Sequence, residues 1–197
     1  MASSANIFEH VKKWEGGLVQ NAGEDYLTNM GITYPTYERL ASNLLGHWIT
    51  TKSRFKALTP ADLQKFITYY WNKATDDNTI VDQGTANLFF EAFWMSGGAG
   101  IKDLQRAFGV TPDGSVGKNT VIAVNNMPGK TAEKIAARAL AERFTRLGNQ
   151  TRYAKFKNGW MNRLKDLTGH DFFLPAAKAG GVILLALLAF AFVASRR

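Results

Sequence analysis

Trp14-Glu15-Gly16-Gly17, followed after a polar segment by Thr28-Asn29-Met30-Gly31-Ile32-Thr33, is the stretch on which the fold turns. Ahead of it, Ser3 or Ser4 can cap a helix that begins near Ala5. Ile7, Val11 and Trp14 recur at helical spacing, as do Phe8 and Val11, so one face of that helix is apolar. Glu15 lies four residues after Val11 and seven after Phe8. It therefore projects from the buried side or its edge, away from Lys12 and Lys13. Gly16-Gly17 is expected to stop the helix, because glycine tolerates the left-handed turn of a C-cap. Partial burial and the negative end of the helix dipole both disfavour an ionised carboxylate, which suits a proton donor. The ordinary alternative is a solvated carboxylate at a helix end.

Downstream, Leu18-Val19-Gln20 reads as a short strand and Asn21-Ala22-Gly23 as a turn. Glu24-Asp25-Tyr26-Leu27 reads as a second strand. Glu24 and Asp25 are close enough in sequence to return beside Glu15. Two carboxylates are what glycosidic bond cleavage requires: one protonates the leaving oxygen, and the other activates water or stabilises charge on the ring. Alternation along a strand lets only one of the two face a cleft, with Asp25 preferred over Glu24. An acidic turn that merely aids solubility explains them equally well. Thr28 and Thr33 can hold water or pack as strand residues, packing being the more ordinary role for Thr33. The candidate catalytic set is Glu15, Asp25, Glu24 and Thr28, and the candidate substrate contacts are Tyr26, Thr33 and Trp94.

Glu-Gly-Gly at the end of a first helix, an acidic turn and Thr-Asn-x-Gly-Ile-Thr resemble the N-terminal signature of glycoside hydrolase family 108. Phe89-Phe90-Glu91-Ala92-Phe93-Trp94-Met95-Ser96-Gly97-Gly98 sits where that family has an aromatic helix ending in small residues. Leu104-Gln105-Arg106-Ala107-Phe108-Gly109-Val110, Asp113-Gly114-Ser115-Val116-Gly117 and Thr120 are similar to its peptidoglycan-binding segment. Arg152-Tyr153 and Gly159-Trp160-Met161-Asn162-Arg163-Leu164 are similar to its closing helix. The resemblance spans residues 7–165. It implies a lysozyme-like muramidase, Glu15 as the catalytic acid, and bacterial peptidoglycan as the partner. The family usually carries an aspartate-rich Pro-Gly-Gly turn before the threonine, where this chain has Asn21-to-Leu27. That departure motivates a second reading: a virion or membrane structural protein that keeps the fold for wall docking without catalysis.

Composition fits these expectations. The chain has 197 residues and 46% hydrophobic content, enough for one ordinary core and an accessory segment. It has no cysteine, so disulfides and thiolate metal sites are excluded. His10, His47 and His170 are scattered, no metal or cofactor is expected, and His10 reads as a helix-surface residue. A net charge of +8 suggests a polyanionic partner. Wall polymers fit. Nucleic acid is disfavoured because no recognised motif accompanies the charge. Lys130 to Lys165 supplies much of that charge, with Tyr153, Phe156 and Trp160 interleaved. A solvated basic face over aromatic core residues is the plainer reading.

The fold class expected is mainly α, an α+β lysozyme-like domain with a small hairpin after the first helix. Helices are expected at Pro35 to Leu45, Thr59-Pro60 to Ala74, and Asn78 to Met95. Others are expected near 100–108, 117–127, 131–147 and 151–167. Gly97-Gly98-Ala99-Gly100 reads as a tight interhelical turn or a place of close packing, not a phosphate loop. Ala179 to Ser195 carries no charge. It would form about 25 Å of helix, short but sufficient for a membrane span, with Lys178 and Arg196-Arg197 at its ends. Met1 to Lys13 lacks the apolar core of a signal peptide. The expected organisation is a catalytic region over 1–98, a peptidoglycan-binding-like helical region over 99–168, a juxtamembrane linker over 169–178 and a transmembrane helix over 179–195. The expected location is a phage virion membrane or a host inner membrane facing the wall, acting in phage infection or host lysis, with a homo-oligomer or other virion proteins as further partners.

Overall fold

The structure, a computed structural model, describes residues 2–20, 26–128 and 130–169. Helix α1 spans Ala5–Trp14, and a two-stranded antiparallel sheet pairs β1, Thr28–Asn29, with β2, Ile32–Thr33. Eight more helices follow: α2 Tyr34–Leu45, α3 Lys52–Lys56, α4 Pro60–Thr75, α5 Gln83–Ser96, α6 Gly98–Ala107, α7 Lys118–Asn125, α8 Thr131–Gly148 and α9 Lys157–Thr168. A single 3-10 turn, Ala154–Phe156, precedes α9.

Local chemistry accounts for most boundaries. Thr59 and Asp62 form a reciprocal capping box at the start of α4, with Pro60 in the first turn. Thr33 caps α2 through its hydroxyl, and Gly46 ends that helix in the left-handed conformation. Helix α5 starts later than the apolar pattern suggests. Asp76, Asp77 and Asn78 all have positive φ and make a turn, and the Asp82 side chain then caps α5 by accepting from Thr85 N–H.

Helix α5 is the centre of the fold. It packs against α4, α6, α8 and α9, and it buries Thr85, Ala86 and the run Leu88 to Ala92. Phe89 and Phe90 are fully buried, as are Phe66, Ile67 and Leu140 on the neighbouring helices. Each such side chain contributes roughly 1.5–3 kcal/mol by leaving water, so this layer outweighs any local propensity. The turn into α6 brings the backbones together: a Cβ on Gly100 would sit 2.2 Å from Ala92 O. Here glycine is required by close approach.

Three expectations need correction. The hairpin found among the described residues lies later in the chain than the strands expected at 18–20 and 24–27, of which 24 and 25 lie outside the described residues. The ladder is Thr28–Asn29 against Ile32–Thr33, and Val19 joins it by a bridge to Thr28. The reason is the turn: Met30 and Gly31 both have positive φ, at 51° and 79°, which gives the two-residue connection that matches strand twist. Second, α1 does not end on a left-handed glycine. Glu15 itself turns extended, at φ −89° and ψ 125°. Third, the fold class and location expected a membrane-spanning helix. Among the described residues no helix is long and apolar enough to cross a membrane. The stretch expected to do so, 179–195, lies outside them. The described fold is mainly helical with one small sheet, and neither a transmembrane element nor a membrane location is assigned to it.

Candidate active site

Glu15 stands where α1 gives way to extended chain, and its N–H still donates to Val11 O at 2.8 Å. Its carboxylate is held by two donors from distant helices. Trp94 Nε1 on α5 donates to Oε1 at 2.8 Å, and Arg163 Nη1 on α9 donates to the same oxygen at 2.7 Å. The hairpin closes the third side. A Cβ on Gly31 would lie 2.6 Å from Glu15 Cδ and 2.7 Å from Oε2. The positive φ of Gly31 and this approach make the same demand of one residue. Stacking of Phe90 and an edge contact from Tyr70 fix the Trp94 ring.

Behind Glu15 lies a buried ionic chain. Arg163 Nε pairs with Glu91 Oε1, and Glu91 has no solvent exposure. His10 lies 3.7 Å from the other Glu91 oxygen and 3.4 Å from Asp166 Oδ2. Asp166 also pairs with Lys13 and accepts from Trp14 Nε1 at 2.8 Å. Burial pushes the Glu91 carboxyl up, but Arg163 and His10 beside it bring it below the usual carboxylate range. Burial opposes the charge on Arg163 too, yet Glu91 and Glu15 together raise it above the ordinary arginine value. Hydrogen bonds from Lys13 and Trp14 hold Asp166 low. His10 is therefore not a surface residue. It is 8% exposed and sits against two carboxylates.

Trp14, Glu15, Trp94 and Arg163 line a cleft of about 890 Å³, while Glu91, His10 and Asp166 lie behind it. Five of the residues singled out from sequence line it: Glu15, Tyr26, Thr28, Thr33 and Trp94. Thr33 divides its role, since its hydroxyl also caps α2. Glu24 and Asp25 lie outside the described residues; Val19 and Tyr26, before and after them in the chain, line the cleft. The opposite wall comes from residues 152–160. Phe156 stacks on Trp160 at 5.9 Å, and Tyr153 packs against the same ring. Lys155 and Arg152 lie over the Phe156 and Tyr153 rings, and neither has a carboxylate partner among the described residues. Among the described residues no cluster of acids and histidines is arranged to hold a metal ion.

From sequence, Arg163 and Glu91 carry no site role, although both fall in stretches that carry the family resemblance, and Arg152, Tyr153, Lys155, Phe156 and Trp160 read as a solvated basic face over aromatic core residues. Glu91 did carry a signal: it is an acid inside the apolar run Phe89-to-Trp94, and a buried charge requires a partner. Arg163 carried a weaker one. It falls three residues after Trp160 and next to Leu164, on the buried side of α9.

An acid pinned at a helix end, a small hairpin closing over it and an open cleft in front define the class: a lysozyme-like glycoside hydrolase. Residues 8–97 match the family model described as glycosyl hydrolase 108, and residues 99–165 match that of a predicted peptidoglycan domain. The chain thus carries a glycosyl hydrolase 108 domain followed by a peptidoglycan domain, and is a peptidoglycan hydrolase. A solved structure of SagA from Brucella abortus is similar to it, at 26% identity and a TM-score of 0.68, over 89% of this chain and 97% of that one. A comparison with curated proteins finds no match.

Proposed function

We propose that the protein is an N-acetylmuramidase, cleaving the glycan between N-acetylmuramic acid and N-acetylglucosamine, with Glu15 as general acid. The observation that carries this reading is the placement of Glu15. One carboxylate oxygen is fixed by Trp94 and Arg163, and the group lines an open cleft of about 890 Å³. Fixed geometry is what a proton donor needs, because the scissile oxygen must lie within hydrogen-bond reach. Asp25 or Glu24 supplies the second carboxylate, activating water or stabilising an oxocarbenium-like transition state. Thr28, beside Glu15 at the hairpin, positions the water. Tyr26, Thr33 and Trp94 contact the sugars.

The facing wall supports an acidic glycan over a neutral one. The lactyl group of muramic acid is a free carboxylate where no stem peptide is attached, and where it is amidated the stem peptide brings carboxylates of its own. Arg152 and Lys155, without acidic partners among the described residues, present cations to that side of the strand. Phe156 and Trp160 offer flat apolar surface for sugar rings.

The test is digestion of purified peptidoglycan by the full chain and by Glu15→Gln, with analysis of the released muropeptides. The expected result is new reducing ends on N-acetylmuramic acid from the parent protein and none from the variant, which retains its helical circular dichroism. Activity in Glu15→Gln, or new reducing ends on N-acetylglucosamine, overturns the reading.

A further inference from the structure

Glu91 has no contact with the cleft, yet it is the most deeply buried acid described here. Placing an ionised carboxylate in an apolar helix layer is costly, and a hydrophobic residue of similar size would pack there without that cost. Its position relative to Glu15 explains what it does. Arg163 reaches both: Nη1 touches Glu15, and Nε touches Glu91. A lone guanidinium at 2.7 Å would hold Glu15 as a carboxylate, which cannot donate a proton. A guanidinium already matched by a second carboxylate has its field divided.

We infer that Glu91 is a positioning residue for catalysis: by neutralising and orienting Arg163 it lets that arginine fix Glu15 in place without locking it in the ionised form. With Glu91 present, the three groups carry a net single negative charge, and a proton on Glu15 leaves a neutral buried pair behind. Without it, protonating Glu15 strands a buried cation. Both buried groups keep their charges in the folded state, which this requires. The inference rests on the reading of Glu15 as the acid.

The groups facing this unit come from every neighbouring element. Helix α1 contributes His10, which touches Glu91, and Lys13, which reaches it only through Asp166 of α9. Helix α5 contributes the neutral Trp94. The hairpin brings uncharged Thr28, Gly31 and Thr33, and the far wall brings Arg152 and Lys155 across the cleft. His10 is the group besides Arg163 that lies against the Glu91 carboxylate, so His10→Asn serves as a control.

The experiment is the pH–rate profile of peptidoglycan hydrolysis for the full chain and its variants. In Glu91→Gln the alkaline limb, where the acid form is lost, is expected to move down by about one pH unit, the size of shift that an unmatched neighbouring charge produces. Glu91→Asp keeps the charge and leaves the limb within about half a unit of the parent's. The double variant Glu91→Gln/Arg163→Gln removes both charges together and returns the limb toward the parent position. It also avoids a stranded cation should Glu91→Gln fold poorly. In His10→Asn the Glu91→Gln shift persists. A purely structural Glu91 would lower the rate evenly across pH, with no shift in the single variant and no return in the double; that pattern overturns the inference. Glu15→Gln, run in parallel, separates the two ideas. If it is active, the acid assignment fails; if it is inactive while Glu91→Gln keeps the parent profile, only the role of Glu91 fails.

Discussion

Arg163 donates to Glu15 Oε1 at 2.7 Å across 148 residues of chain. The contact is 5% exposed on the arginine side and 17% on the glutamate side, so it is screened little by solvent. Replacing Arg163 by Gln removes a donor from Glu15 and the charge partner from Glu91 at once. Breaking a buried pair this way costs about 3–5 kcal/mol. Urea unfolding is expected to show a loss of that order, with activity also lowered. Arg163→Lys keeps the charge but not the planar fork, and a lysine cannot reach both carboxylates in the same way. It should recover part of the stability and little of the rate.

Gly31→Ala is predicted to damage activity more than stability. The added methyl meets Glu15 Cδ at 2.6 Å, and an L side chain at φ +79° is strained. The backbone strain costs about 1–2 kcal/mol. Displacing the acid by even an ångström costs on the order of 100-fold in rate. Steady-state kinetics and a thermal melt on the same preparation check this. An active enzyme with a lowered melting temperature counts against the placement of Glu15 beneath the hairpin.

Arg152 and Lys155 line the cleft without acidic partners among the described residues. The double variant Arg152→Gln/Lys155→Gln is expected to raise KM on peptidoglycan about 10-fold, with kcat nearly unchanged. Added salt should raise KM in the parent and do so less in the variant, because exposed charges are screened within about 10 Å at 0.1 M. On a neutral chitin oligosaccharide the variant and parent should not differ.

Acid stability follows from the depressed carboxyls. Burial works against Asp62 and Asp82, but their cap hydrogen bonds to Thr59 and Thr85 hold both below the usual range. Hydrogen bonds from Lys13 and Trp14 do the same for Asp166, and Arg163 and His10 overcome burial at Glu91. A carboxyl depressed on folding contributes stability that is present above its unfolded value and lost as pH falls through its folded value. Unfolded values lie near 4. The melting temperature should therefore be insensitive to these four groups from about pH 5 to 7, and should fall below about pH 4.

Much of this architecture is readable from the chain. Thr59-Pro60, Gly46 and the spacing of Ile7, Val11 and Trp14 all act through local rules, and α4, α2 and α1 form where those rules put them. The glycine-rich break before α6 was legible too, although the interhelical turn is Gly97 alone and Gly100 serves close packing within α6. The hairpin was misplaced because Met30 is not a turn residue by type; it adopts positive φ next to Gly31, with β1 and β2 pairing on either side. The site was half readable. Glu15, Tyr26, Thr28, Thr33 and Trp94 are close in sequence or carried by a pattern. Arg163 and Glu91 are joined only by the packing of α5 against α9, and no local periodicity encodes a pairing between residues so far apart.

The Arg163 contact also constrains how such an enzyme can be rearranged. Glu15 and Glu91 lie in the segment that matches the hydrolase family, and Arg163 lies in the segment that matches the peptidoglycan domain. The second segment is thus more than an interchangeable targeting module. A chimera that swaps it for an unrelated wall-binding domain gains a new address but loses the counter-ion of its own acid. Any successful graft must bring an equivalent arginine, at the same depth, with it.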